Sequence, residues 1–204
     1  MHNRHIQRTA NCWPLNFIRC RHDTLDMYRE ILTFWFEEID QSHWWSKDDT
    51  FDQLIIERFS EVHGRAIRCE LFEWRKTTGG RLAEILVLDQ FSRNMFRDSP
   101  LAFAYDPLAL VLSQEALSVG ADKELSPICR SFLYLPFMHS ESLKIHEIAL
   151  DLYQKNGIKS NLDFEIQHKE IIERFGRYPH RNRILGRVST EEEIEFLKQP
   201  GSGF

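Results

Sequence analysis

The chain has 204 residues, 42% of them hydrophobic and 12% aromatic, with 26 basic against 31 acidic side chains for a formal net charge of −5. This length and apolar content can fill one sizeable core and exclude a largely disordered chain. The acidic balance argues against a dedicated nucleic-acid binder, and no apolar run approaches the roughly 18 residues of a membrane span.

Residues 1–22 hold Arg4, Arg8, Arg19 and Arg21, no acid, and no continuous apolar segment of the kind a secretory signal requires. Residues 1–26 are therefore expected to be an N-terminal extension outside the fold, and 27–204 a single all-helical domain. Cys12, Cys20, Cys69 and Cys129 show neither CxxC nor zinc-finger spacing. They read as reduced thiols of a cytoplasmic protein, with Cys69 and Cys129 as small core residues.

Tyr28, Ile31, Leu32, Trp35, Phe36 and Ile39 recur at one-face helical spacing and predict the first core helix. After the Trp44-Trp45-Ser46 connector, Asp48 or Asp49 can cap a helix whose face is Phe51, Leu54, Ile55, Phe59 and Val62. Gly64 reads as a joint, with Ile67, Leu71 and Trp74 continuing beyond it, and Thr78-Gly79-Gly80 reads as a turn. Leu82 to Phe91 is apolar on nearly every side and predicts the central helix, because nothing else shows strand alternation for it to pair with. As a helix it sets Asp89 and Arg93 at i and i+4, with Asn94 and Arg97 in the exit loop.

Ser99-Pro100, Asp106-Pro107 and Ser126-Pro127 are each a polar N-cap followed by proline at the first helical position. The second opens a helix through Leu108, Val111, Leu112 and Val119 to Gly120. The third opens one through Ile128, Phe132 and Leu135 that Pro136 is expected to stop, leaving His139 at a helix-to-helix corner. Ile145, Ile148, Ala149, Leu152 and Tyr153 form the next face, closed by Asn156-Gly157. Asn161 can open the helix whose face carries Phe164, His168, Ile171, Ile172 and Phe175, so His168 is predicted on the buried side. His146 reads as a solvated flank residue. Gly176 ends that helix, and Thr190 with Glu193 forms a capping box for a last helix ended by Pro200. The pattern predicts an all-α chain of about nine helices in antiparallel αα-hairpins.

Several strings add up to a family. They are Trp45-Ser46-Lys47-Asp48, the run Leu88-Asp89-Gln90-Phe91-Ser92-Arg93-Asn94-Met95-Phe96-Arg97, Asp106-Pro107-Leu108, and Phe132 through Pro136-Phe137-Met138-His139-Ser140-Glu141. Two more are Arg174-Phe175-Gly176-Arg177-Tyr178-Pro179-His180-Arg181-Asn182 and the terminal Pro200-Gly201-Ser202-Gly203-Phe204. From about Met27 to the last residue the chain resembles the largely bacterial family catalogued as domain of unknown function 924. The resemblance implies a helical fold similar to tetratricopeptide-like proteins, as a superhelical domain, and brings no established activity. Ser92 stands where the family usually has proline, and Ile145-His146 where it usually has Asp-Gln.

The candidate site starts from the stretch Arg174 to Arg187, which holds five arginines, one histidine and no acid. Such a segment needs anionic partners, from the protein's own carboxylates or from a ligand. Asp89, Arg93, Asn94, Arg97, His139, Glu141, His168, Arg174, Arg177, His180, Arg181 and Asn182 would line a polar site for a small phosphate- or carboxylate-bearing ligand. If it catalysed, as a hydrolase or transferase, His180 or His139 would move the proton. The bland alternative is that Asp89, Glu141, Glu170 and Glu173 neutralise these arginines internally. A second class is a non-catalytic module whose basic groove takes an acidic peptide or protein. Gly-rich phosphate loops, GxSxG, HxxxH and HExxH motifs are absent, and neither a cofactor nor a metal is predicted.

Overall fold

The computed structural model describes residues 25–203; the expected 1–26 extension lies almost entirely outside them. The described chain is all helix and connector, as periodicity predicts. It begins with α1 (Leu25–Thr33), continued by a wide π turn at Phe34–Glu38 that buries Phe34, Trp35 and Phe36. Asp48 accepts from the Thr50 and Phe51 amides at 2.9 and 3.1 Å and so starts α2 (Asp49–Ile67).

Gly64 is not a joint: α2 runs through it, because His63 and Ala66 on either side are buried and hold the helix in place. Tertiary packing of this kind outweighs the cost of about 1 kcal/mol for a helical glycine. The break comes at Cys69, whose φ of 57° is left-handed. Cys69 is also exposed and free rather than a core residue, whereas Cys129 is buried as expected but sits in a disulfide instead of as a reduced thiol.

Thr78-Gly79-Gly80 is not a turn but the first turn of α3 (Thr78–Leu86), capped by Thr77. A Cβ on Gly80 would lie 2.1 Å from the Trp74 carbonyl oxygen, so the glycine is there for close approach. Through a π turn at Val87–Phe91 and α4 (Ser92–Met95), this rod buries every residue from 82 to 92. It packs against α1, α5 (Asp106–Ser118) and α6 (Pro127–Met138), which makes it the centre of the fold.

Pro136 does not stop α6, which continues to Met138 with the proline buried inside it. The chain then turns at His139 into α7 (Leu143–Asn156) and, past Gly157 at φ 80°, into α8 (Lys159–Phe175). Asn161 is two residues inside α8 rather than its cap. Several residues counted on helix faces look to solvent: Leu54, Val111, Val119, Ile148 and Phe164 are all exposed. The capping box at Thr190 and Glu193 is present and opens α9 (Glu191–Phe196).

One hydrophobic cluster runs from Tyr28 to Tyr153, and a smaller one gathers Ile171, Ile172 and Tyr178 with Phe175 and Phe196. Buried polar groups, Asp89, His146, Glu165, His168, Arg181 and Asn182 among them, accompany these clusters. No helix among the described residues is long and apolar enough to cross a membrane.

Candidate functional site

The site is built where the central rod meets the segment after α8. Asp89, on the π turn, is fully buried and receives three donors. His139 Nδ1 lies 2.7 Å from its Oδ1, Arg93 Nη1 3.1 Å from the same oxygen, and Gln90 Nε2 donates to Oδ2 at 2.6 Å. Burial opposes the charge, but Arg93 and then His139 outweigh it and hold the carboxyl below the usual range. Asp89 is therefore a carboxylate, and His139 must present a proton on Nδ1. Burial, then Arg93, lowers the His139 pKa, so the ring is neutral and Nε2 carries a lone pair.

The His139 side chain is 14% exposed. Its Nδ1 is committed to Asp89, and no hydrogen bond reaches its Nε2 from the described residues. His139 sits at the α6 C-terminus, where the sequence placed it.

Arg93 forks onto Asp106 at 2.9 and 3.0 Å and also donates to the Asp89 carbonyl at 2.7 Å. Asp106 was expected to cap α5; it is instead the first helical residue, and its carboxylate is taken by two guanidiniums. The second is Arg181, on the short 3₁₀ turn Pro179–Arg181. Its side chain is 8% exposed and lies between the Phe103 and Tyr178 rings, 4.6 Å from each centroid. Among the described residues it makes a single hydrogen bond, of 3.2 Å from Nη1 to Asp106, and its buried Nε has no partner. Burial lowers the Arg181 pKa first, against the attraction of Asp106.

His168 is buried, as predicted, and its Nδ1 donates to the Phe164 carbonyl at 2.8 Å. Its ring meets Tyr178 edge-on at 5.7 Å, and that of His180 lies 5.5 Å from the same ring. Burial pushes their pKa values down to about 3 and about 4, respectively, with Arg181 adding to the effect at His180. Asp89, Arg93, His139, His168, His180 and Arg181 thus form one electrostatically connected group.

The remaining expected residues do other work. Arg97 and Asn94 both donate to Asp52, Arg97 through two bonds of 2.6 and 2.7 Å. Arg177 forks onto Glu193 of the capping box, Arg174 pairs with Glu192, and Asn182 donates to Ser189. Glu141 accepts two bonds from Arg187 and one from the Tyr178 amide. The internal carboxylates are thus Asp52, Asp89, Asp106, Glu141, Glu192 and Glu193 rather than Glu170 or Glu173, of which Glu173 pairs with Lys169.

Sequence reasoning missed Asp106, Phe103, Tyr178 and His146. His146 is not a solvated flank residue but completely buried: Nδ1 faces Glu165 Oε1 at 2.8 Å, and Nε2 faces the Ser140 carbonyl at 2.9 Å and Tyr178 Oη at 3.1 Å. Lys144 and Glu147 beside it in the sequence are both exposed, and that polar neighbourhood disguises it.

A recess of about 750 Å³ lies elsewhere, lined by Asp40, His43, Asp48, Phe51, Leu54 and Glu57 among others, and includes none of the arginines. No group of three or more His, Cys, Asp and Glu among the described residues is placed to hold a metal ion.

The model of a bacterial protein family of unknown function, DUF924, matches residues 31–201. The chain belongs to this family. It is also similar to a solved protein of unknown function from Agrobacterium tumefaciens, at 40% identity and a TM-score of 0.83, over 86% of this chain and 99% of that one. No curated protein matches it. Membership in DUF924 thus brings a fold and no chemistry, and a functional reading rests on the geometry around Asp89 and Arg181.

Proposed function

We propose that this DUF924 protein binds a small oxyanion, a phosphate or carboxylate group, with Arg181 as the clamp and Arg93 and His139 beside it. The observation that supports this reading is the state of Arg181. A guanidinium has five donors in a rigid fork, and here the described residues supply one hydrogen bond, of 3.2 Å, besides two ring faces. Burying a cation with unpaired donors costs several kcal/mol relative to water, and a bidentate oxyanion is the partner that fits the fork.

The other arginines point the opposite way. Arg93, Arg97, Arg177 and Arg187 each fork onto a carboxylate, and these pairs pin loops to helix ends. The reading is therefore narrower than a broad basic pocket: it concerns Arg181 and the neutral histidine edge near it, within residues 27–204 taken as one helical domain.

Thermal unfolding against inorganic phosphate, sulfate, sugar phosphates and small carboxylates tests it. A ligand at about 100 times its dissociation constant adds about 2.7 kcal/mol, which raises the midpoint by roughly 5–10 °C for a chain of this size. The shift should vanish in Arg181→Met. Absence of any shift across the panel would leave Arg181 as a structural group.

A further inference from the structure

The two functional atoms of this site are of opposite hydrogen-bonding character, and that constrains the ligand. Arg181 offers only donors. His139 offers an acceptor, because Asp89 takes the Nδ1 proton at 2.7 Å and leaves Nε2, partly exposed and without a protein partner among the described residues, with its lone pair. We infer that the ligand is an oxyanion that also carries a hydrogen-bond donor next to its charge, such as a P–OH, a hydroxyl or an N–H, and that His139 Nε2 reads this donor. The inference rests on the oxyanion reading above and adds the class of ligand that the site selects.

The acceptor role is fixed by everything that faces the ring. Asp89 and Arg93 come from the central rod, Asp106 from the start of α5, His168 from α8, and His180 from the turn after it. Of these, only Asp89 touches the ring through a hydrogen bond, and it is held ionised by Arg93 and Gln90 as well as by His139 itself. A carboxylate in that setting cannot donate to Nδ1, so the tautomer with the proton on Nε2 would leave two acceptors facing each other at 2.7 Å. Burial and the Arg93 charge disfavour the imidazolium, in which Nε2 would be a donor. The acceptor is therefore available at neutral pH.

Phosphate and sulfate separate the two parts of this account. They match in size and shape, but near neutral pH phosphate retains a P–OH and sulfate has no donor. Sulfate therefore turns a lone pair toward the His139 lone pair, and a site built to receive a donor rejects an analogue that lacks it. Titration calorimetry at pH 7 should find phosphate bound about tenfold or more tighter than sulfate. His139→Ala should lower phosphate affinity to the sulfate level and leave sulfate binding in place, whereas Arg181→Met should weaken both.

Should His139→Ala fail to fold, the unmodified protein still decides. Glycolate should bind better than acetate by a similar factor, because only glycolate carries a hydroxyl. Equal affinity for phosphate and sulfate, or a preference for sulfate, overturns the inference while sparing the oxyanion site. Failure of both anions and both carboxylates to bind removes the oxyanion reading itself, and this inference with it.

Discussion

The molecule contains two buried acid–histidine pairs, and the contrast between them is informative. In the Asp89–His139 pair the carboxylate has three donors, and one ring nitrogen has no partner among the described residues. In the Glu165–His146 pair both ring nitrogens are used and the whole assembly is sealed at 0% exposure. Glu165 receives nothing but the histidine: its Oε2 has no partner among the described residues, and burial, only partly offset by His146, raises its pKa. The Ser140 carbonyl needs a proton on His146 Nε2. The donors around a buried carboxyl decide the direction in which its pKa moves, down at Asp89 and up at Glu165. Asp89 is a carboxylate that orients the His139 ring, whereas Glu165 belongs to a structural chain through His146 to Tyr178 and Met138.

Four changes would sharpen or break this contrast. The largest effect is expected from His146→Ala, which leaves a cavity and an unpartnered buried carboxyl and should cost about 3–5 kcal/mol in a urea titration. Asp89→Asn comes next, at about 3 kcal/mol, because it removes a buried charge that Arg93 and His139 both use. Glu165→Gln should cost less, about 1 kcal/mol, since burial already opposes the charge it removes and the amide can still meet Nδ1. If instead it destabilised as much as Asp89→Asn, the two pairs would not differ in the way described.

The fourth is Arg181→Met. It should be neutral or slightly stabilising, by up to about 1–2 kcal/mol, because an apolar side chain between Phe103 and Tyr178 removes the cost of a poorly paired buried cation. Stability gained at the expense of anion binding is the pattern expected of a functional residue.

Acid should act through the histidines before it acts through Asp89. His63 and His180 have pKa values pushed down to about 4 and His168 to about 3, all by burial first. Below about 6.5 the unfolded chain takes up protons that the folded chain refuses, so stability falls with pH between roughly 6.5 and 4. Asp89 has the depressed value of a paired carboxylate; its stabilisation is present above the ordinary Asp range and is lost only as the pH drops below it. A urea midpoint that declines from pH 6.5 to 4, and declines less in His63→Gln, is the expected result.

Much of this fold was legible in the sequence, for physical reasons that also explain the failures. The caps at Asp48, Ser99, Ser126 and Thr190 are local hydrogen-bonding devices and were read correctly, as were the left-handed glycines 157 and 176. Gly64, Gly80 and Pro136 were misread because each is held within a helix by surroundings that no local rule contains. In the site, the Asp89–Arg93 pair was visible because i and i+4 spacing fixes it. Asp106 was not, because the 75 residues that separate it from Arg181 carry no periodic signal. His146 was misjudged for a related reason: its partner Glu165 lies on the next helix, so neither position looks buried from its own neighbours.

The most direct measurement is the ¹⁵N NMR spectrum of the histidine side chains at pH 7, recorded with and without inorganic phosphate. His139 is expected to be neutral with its proton on Nδ1, and phosphate to shift its Nε2 resonance, while both nitrogens of His146 stay where they are. A His139 ring protonated on Nε2, or a phosphate response no larger than that of His146, would contradict it.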